Sequence, residues 1–201
     1  MLVCYPIAAT HENWLHESLI LMIHRIHECL NSGENLQKTK AIWKALIPET
    51  LDEHKSNQLL NSTGIRDRLF AYKDSVAQKT VAERERIISV LESQNQLAEL
   101  LTGEGDLETI ATDFPDTHQV VHDLFVFCFE KLTEFEIRKR QYEIIFDHLS
   151  TKICPFCGIE RVMNPEEVAQ DQDHYLAKSI YPFAAANMRN LVPMCRCCNR
   201  D

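Results

Sequence analysis

The chain has 201 residues, 45% of them apolar, and a formal net charge of −9 at pH 7. This length supports one sizeable core, or a helical domain with a small appendage. No run approaches the roughly 20 apolar residues that cross a bilayer, and the N-terminus lacks the basic head and apolar stretch of a secretion signal. The composition therefore excludes a membrane protein and predicts a cytoplasmic one.

Charge is distributed unevenly along the chain. Residues 1–150 carry 15 Lys and Arg against 24 Asp and Glu, whereas residues 151–201 carry six basic and six acidic residues. Because an acidic surface repels nucleic acid, contact with DNA or RNA is expected from the last fifty residues, or through positive charge on a partner. The acidic part is expected to bind a protein partner or a second copy of the chain.

Helical periodicity dominates the first part of the chain. Apolar residues recur at three- and four-residue steps over residues 15–30, and Gly33 is placed to end that helix in a left-handed conformation. Thr50 and Thr80 each stand three residues before a Glu, which is the capping-box pattern. Two further helices are therefore expected to begin after these threonines.

The helical pattern continues beyond the second capping box. Gly103 and Gly105 are expected to close the helix that begins after Thr80, and a short helix is expected to follow them. Pro115 precedes an apolar stripe that predicts one long helix from about residue 116 to 149. Residues 1–150 are thus expected to form an all-helical domain.

Several histidines and phenylalanines in the helical part could have either a functional role or a purely structural one. His118 and His122 have the spacing of a zinc-protease pair, but Gln119 stands where the general-base glutamate is expected. These two histidines are predicted to lie on the surface or at its boundary. Three others are expected on the polar face of the first helix: His16, His24 and His27. Three phenylalanines are expected in the core or on a helix-docking face: Phe125, Phe127 and Phe129.

Five of the eight cysteines lie after residue 153. Because cytosolic thiols stay reduced, a cysteine-rich segment in that compartment more often binds metal than forms disulfides. The three isolated cysteines are expected to be small core residues: Cys4, Cys29 and Cys128.

Two Cys-x-x-Cys pairs stand out in the C-terminal segment, separated by 37 residues: Cys154 with Cys157, and Cys195 with Cys198. Four thiolates suit tetrahedral zinc, and Gly158 permits the positive φ of a tight turn. Cys198 is preferred to Cys197 because of its spacing. The gap exceeds the roughly 15–20 residues of a plain zinc ribbon, which indicates an insertion between the pairs.

The insertion contains Asp173-His174 and Asn190-Leu-Val-Pro, and Asn199 follows the second cysteine pair. In this order, the residues resemble the zinc-stapled form of the HNH nuclease motif. The resemblance implies a ββα-metal fold of two strands and one helix over residues 151–201. The expected fold class is therefore mainly α, an N-terminal helical domain at residues 1–150 followed by a small zinc-bound HNH domain. That domain is expected to be truncated at its C-terminal helix.

The resemblance also implies roles for these residues. His174 would be the general base, and Asp173 and Asn199 would bind catalytic Mg²⁺ or Mn²⁺. Asn190 would brace the loop and orient His174. Simpler alternatives remain open: a strand-end turn pair for Asp173-His174, a turn residue at Asn190 and a helix cap without metal at Asn199.

The implied function is metal-dependent hydrolysis of phosphodiester bonds, in DNA rather than RNA. Four basic residues are either phosphate contacts or merely solvated: Lys178, Arg189, Arg196 and Arg200. The layout also resembles HNH effectors of bacterial anti-phage systems, including those paired with an ATPase. The alternative is a zinc-stapled binding module that keeps the fold without cutting.

Overall fold

The structure, a computed structural model, describes residues 5–162, 164–166 and 171–199. Its helices are α1 (Trp14–Asn31), α2 (Lys40–Leu46), α3 (Glu53–Asn61), α4 (Thr63–Ala77), α5 (Val81–Asn95), α6 (Leu97–Thr102), α7 (Pro115–Glu134) and α8 (Ile137–His148). Two antiparallel strands follow, β1 (Asp171–His174) and β2 (Leu191–Met194). The prediction of a mainly helical chain is confirmed, with a small sheet near its C-terminus. None of the helices in the described ranges has the length and apolar character of a bilayer span.

Two local signals in the sequence produce the expected helix boundaries. The Thr80 hydroxyl accepts a hydrogen bond from the Glu83 N–H at 3.3 Å, and the Glu83 carboxylate accepts one from the Thr80 N–H at 2.7 Å. Gly33 follows α1 with φ of 80°, a conformation that side chains disfavour. Both signals depend on backbone groups close in sequence, so distant packing does not alter them.

Other predicted boundaries were wrong. Asp52 rather than Thr50 caps α3, because its Oδ1 accepts from the Lys55 N–H at 2.8 Å. Gly103, with φ of 78°, closes α6 rather than α5. Turns and irregular backbone occupy residues 103–114, where a short helix was expected.

The long helix expected over residues 116–149 is two helices joined at a corner. Glu136 makes the corner with φ of 58°, and it is the one non-glycine residue in the described ranges with positive φ. Phe135, just before it, is buried in the core. The apolar pattern therefore continues across the corner, and periodicity gives no sign that α7 ends there.

One hydrophobic core joins the helices to the loop between β1 and β2. Phe183 from this loop packs edge-to-face on Phe125 of α7, with ring centroids 5.6 Å apart. Met188 and Leu191 are buried in the same cluster as the apolar faces of α1, α4, α5 and α7. The main core therefore crosses the predicted domain boundary at residue 150.

Buried amides from the helices fix the same loop. The Phe183 N–H donates to Gln94 Oε1 at 3.0 Å, and the Met188 N–H donates to Asn13 Oδ1 at 2.9 Å. Gln141 Nε2 donates to the Met188 carbonyl at 3.1 Å. Since breaking such a bond leaves a buried polar group unpaired, the loop conformation depends on the helical part.

Two of the three isolated cysteines, Cys29 and Cys128, and the i, i+4 histidine pair lie where the sequence predicts. Cys128 is buried in the main core, and burial raises the pKa of its thiol. Cys29 packs against this core and is partly buried, while Cys4 lies outside the described residues. His118 and His122 are partly buried at the surface boundary.

Two histidines of α1 are buried, so their predicted placement on a polar face was wrong. His16 is 3% exposed and packs edge-on against Phe125; His27 is 5% exposed, with Nε2 2.7 Å from the Tyr72 hydroxyl. Burial lowers the pKa of each histidine to about 4, and the charges of Arg84 and His24 add to the effect at His27.

These histidines predict that the free energy of unfolding decreases as pH falls from about 6.5 towards 4. In that window the unfolded chain, with histidine pKa near 6.5, binds more protons than the folded chain. At about pH 4, each buried histidine lowers the free energy of unfolding by on the order of 3 kcal/mol relative to neutral pH. Denaturant unfolding at several pH values measures this effect.

Two variants form a matched pair for this measurement. His27→Gln should flatten the pH dependence, because it removes one titrating group. Tyr72→Phe should preserve it, because it removes the same hydrogen bond but keeps His27. An unchanged pH dependence in His27→Gln would contradict the prediction.

Candidate metal centre and adjoining histidine site

Four cysteines converge at one end of the two-stranded sheet. The sulfur atoms of Cys154, Cys157, Cys195 and Cys198 all lie within 4.8 Å of one another. The Cys154–Cys198 and Cys157–Cys195 distances are 4.0 and 3.7 Å. Zinc–sulfur bonds of about 2.3 Å place tetrahedral sulfurs about 3.8 Å apart, whereas a disulfide needs about 2.05 Å. The cluster could therefore bind a metal ion such as zinc.

The first pair is held by a tight turn. Gly158 has φ of 66°, and its N–H donates to the Cys154 carbonyl at 2.8 Å. Backbone N–H groups of Glu160 and Ile159 point at the Cys157 sulfur and lower its pKa to about 7. The turn thus favours the thiolate form that a metal binds.

The second pair completes the cluster after β2. The Cys198 N–H donates to the Cys195 carbonyl at 3.0 Å. The hydrogen bond with Cys195, burial, and the hydrogen bonds with Cys157 and Cys154 raise the pKa of Cys198 to about 12. A divalent cation among the four sulfurs would favour their thiolate forms. Cys197 is exposed, with its sulfur 3.7 Å from a Glu160 carboxylate oxygen, so the structure places Cys198 in the cluster, as spacing predicts.

The strand register separates the cysteine cluster from the histidine. Backbone pairing joins Asp171 to Met194 at one end and His174 to Leu191 at the other. Cys195 follows Met194, whereas Asn190 precedes Leu191. His174 and Asn190 therefore lie together at the end of the sheet remote from the cysteines.

His174 is partly buried against α7. Its ring centroid lies 4.5 Å from that of Phe129, and its Nε2 lies 3.0 Å from the Ala185 carbonyl oxygen. Since a carbonyl only accepts, Nε2 carries the proton and Nδ1 is the basic nitrogen. Burial lowers the pKa of His174 to about 4, with further lowering by the charges of Lys178 and Arg138. The ring is therefore neutral at pH 7.

Asn190 fixes the loop that carries Ala185, whose carbonyl bonds to the His174 ring. Its Oδ1 accepts from the Leu176 N–H at 2.7 Å, and its Nδ2 donates to the carbonyls of Leu176 and Ala184 at 3.2 and 3.0 Å. The predicted brace is thus present. The structure does not show the predicted hydrogen bond between Asn190 and the His174 ring. The ring bonds to the carbonyl of Ala185 instead, and Asn190 bonds to the preceding carbonyl, that of Ala184.

Asp173 and Asn199, the candidate ligands for a catalytic metal, lie on different elements. Asp173 is exposed in β1, and its Oδ1 accepts from the His174 N–H at 2.8 Å. Asn199 lies beside the cysteine cluster, where its N–H donates to the Cys195 carbonyl at 3.1 Å and closes one helical turn. The helix of the expected ββα fold, at which truncation was predicted, would begin at this turn, and Arg200 and Asp201 lie outside the described residues. Among described residues, the four cysteines are the sole group of three or more His, Cys, Asp or Glu ligands.

Two site residues were missed by sequence reasoning, Phe129 of α7 and Arg138 of α8. The Arg138 guanidinium lies 3.8 Å from the centre of the Phe129 ring, and Lys178 Nζ lies 4.8 Å from it. Phe129 packs against the main core, as expected, and its ring also contacts His174. No motif marks these positions, because only tertiary packing brings α7 and α8 to the sheet.

This arrangement places a neutral basic nitrogen, an exposed carboxylate and two cations near one another. Such groups can accept a proton from water, bind a divalent cation and bind phosphate. Comparison of the chain with family models, with curated proteins and with solved structures found no match.

Proposed function

We propose that this protein is a metal-dependent endonuclease of the HNH type that hydrolyses phosphodiester bonds in DNA. The observation that carries the proposal is the state of His174. Its Nε2 is committed to the Ala185 carbonyl, which leaves Nδ1 as a neutral base next to Asp173 on the same strand.

In the proposed reaction, His174 Nδ1 accepts a proton from a water molecule while the oxygen of that water attacks phosphorus. A new P–O bond forms, the bond to the 3′-oxygen breaks, and the leaving oxygen takes a proton from solvent. The Ala185 carbonyl holds the ring in place throughout and stabilises the imidazolium that forms. Asn190 supports this geometry by fixing the loop.

Asp173 is the ligand proposed on the sheet for Mg²⁺ or Mn²⁺. One oxygen of Asp173 accepts from the backbone, so the other can face a cation, and the side chain is exposed. Asn199, the second proposed ligand, offers an amide oxygen of the same hard type, but it lies in the turn after Cys198. When bound, the metal supplies positive charge to the phosphate and the leaving oxygen.

The alternative function is a zinc-stapled module that binds nucleic acid or protein without cutting. The separation of the candidate ligands favours it, because Asp173 lies in β1 whereas Asn199 lies in the turn after Cys198. We further propose that the protein acts as a defence effector whose acidic helices bind a protein partner or a second copy. The charge of residues 1–150 supports that proposal.

A cleavage assay separates the two functions. Purified protein is incubated with plasmid DNA, and with RNA of similar length, over a series of Mg²⁺ and Mn²⁺ concentrations. We expect DNA cleavage that requires the added cation and stops with EDTA. A gel-shift assay without divalent cation provides the control for binding. DNA that is bound but never cut would support the binding module instead.

A further inference from the structure

We propose that the ring of Tyr175 is a stacking platform for an unpaired nucleobase, so that the substrate is single-stranded DNA or DNA with an unpaired base at the cut. This inference rests on the proposed nuclease function and names the substrate class of the same site. Tyr175 directly follows His174, the proposed general base, and its side chain is 56% exposed.

Hydrogen bonds to Asn190 fix the backbone on both sides of the Tyr175 side chain. The Tyr175 N–H donates to the Asn190 carbonyl at 3.0 Å, and the Leu176 N–H donates to Asn190 Oδ1 at 2.7 Å. The Leu176 carbonyl accepts from Asn190 Nδ2 at 3.2 Å. Asn190 and Leu176 are both buried, so water does not compete for these bonds. The Tyr175 side chain therefore projects from a rigid backbone.

The Tyr175 side chain itself has no partner within the ranges that the structure describes. Its hydroxyl makes no hydrogen bond there, and its ring takes part in no aromatic or cation–π pair. Tyr5 and Tyr72, by contrast, use both the hydroxyl and the ring in contacts inside the molecule. An exposed ring on a rigid backbone is available to a ligand at little cost in conformational entropy.

Tyr175 shares the open face of the sheet with Asp173. Its N–H extends the strand pairing one residue beyond β1, and side chains two apart on an extended strand point to the same side. Burial follows this alternation, because Asp173 and Tyr175 are exposed whereas Gln172 and Leu176 are buried. A nucleobase stacked on Tyr175 would therefore lie beside Asp173 and one residue from His174.

Arg189 supplies positive charge next to the ring. It directly precedes Asn190, the residue that pairs with the Tyr175 backbone. Its side chain is exposed and forms no ion pair with a described residue. Proteins that bind single strands combine aromatic rings, on which bases stack, with cations that contact the sugar–phosphate backbone. Tyr175 and Arg189 match this combination.

Stacking on Tyr175 selects against an intact duplex. Every nucleobase has an aromatic face, so the contact tolerates any sequence. In a duplex both faces of an internal base are covered by its neighbours, and exposing one face requires the base to leave the stack. The proposed nuclease should therefore prefer single strands, gaps and flaps.

Binding of labelled oligonucleotides without divalent cation tests the platform independently of cleavage. Wild-type protein should bind a single strand more tightly than a duplex of the same sequence. Tyr175→Ala should weaken single-strand binding about tenfold and duplex binding less than about twofold. The slope of log affinity against log salt should not change in this variant, because stacking releases no counterions.

Two further substitutions separate stacking from simple apolar contact. Tyr175→Phe keeps the ring and should bind single strands within about twofold of wild type. Tyr175→Leu keeps an apolar side chain without an aromatic face and should lose as much affinity as Tyr175→Ala. Phe156→Ala is the matched control, because Phe156 is 55% exposed at the cysteine end of the sheet. It should change single-strand affinity less than about twofold.

Several results would overturn the platform: unchanged single-strand affinity in Tyr175→Ala, full affinity in Tyr175→Leu, an equal loss in Phe156→Ala, or equal binding of single strand and duplex by wild type. Loss of self-association in Tyr175→Ala with DNA binding intact would assign the ring to a protein interface and would also overturn it. Zinc content and circular dichroism identify a variant that fails to fold. If Tyr175→Ala fails in this way, Tyr175→Leu decides the outcome.

The same measurements distinguish this proposal from the nuclease function. Single-strand binding that depends on Tyr175 in a protein that never cuts DNA would end the nuclease proposal and leave the platform standing. Cation-dependent cleavage by a protein whose single-strand affinity is unchanged in Tyr175→Ala would leave the nuclease and end the platform.

Discussion

Cys154→Ser is expected to abolish zinc binding and to unfold the segment around the cysteine cluster. Structural zinc contributes about 10–16 kcal/mol to the folding of small zinc domains, so losing one thiolate removes more stability than most substitutions do. Metal analysis of the purified protein measures the zinc, with one ion per wild-type chain expected. Cys197→Ser is the matched control, because its thiol faces Glu160 outside the cluster.

The structure predicts how far this unfolding spreads. The cluster packs against Ile145 and Leu149 at the end of α8, and the Tyr5 hydroxyl donates to the Pro193 carbonyl at 2.6 Å. The C-terminal turn of α8 and the N-terminal residues should therefore loosen together. The other helices should persist in circular dichroism, because they share the main core. A folded wild-type protein without zinc, or equal zinc loss in Cys197→Ser, would contradict this account.

His174→Ala is expected to reduce cleavage by about 10²- to 10⁴-fold, the usual contribution of a general base. Zinc content should not change, because the cysteines lie at the other end of the sheet. His148→Ala, at an exposed histidine that ends α8, is the control and should cut like wild type.

Asp173→Ala distinguishes metal binding from proton removal. It should also abolish cleavage at low Mg²⁺, but high Mg²⁺ or Mn²⁺ should restore part of the activity by refilling a weakened site. No metal concentration should rescue His174→Ala, since its missing function is to accept a proton. Rescue of both variants by metal would show that His174 serves the cation and not the water.

The features that sequence predicted well are those set by short spacing. The two Cys-x-x-Cys pairs and the Thr80 capping box depend on residues three apart, so their geometry follows from the local backbone. Gly33 works in the same way, because positive φ is a property of a single residue.

The features that sequence could not give depend on tertiary packing. Histidine is a polar residue, so the sequence predicted a polar face for His16 and His27. In the structure both are buried next to the apolar residues of α1, because the packing of this helix covers their positions. The corner at Glu136 interrupts no apolar pattern. The partner of His174 is a backbone carbonyl, which every residue carries, so no motif marks Ala185.

The most direct test of the central claim compares the rate of DNA cleavage by wild-type protein and by His174→Ala at saturating Mg²⁺. Both samples must first be shown to carry one zinc ion per chain. We predict that wild type cuts at least about 100-fold faster, because only it has a base to accept the proton from water. Equal rates in the two zinc-loaded proteins would contradict the assignment of His174 as the general base.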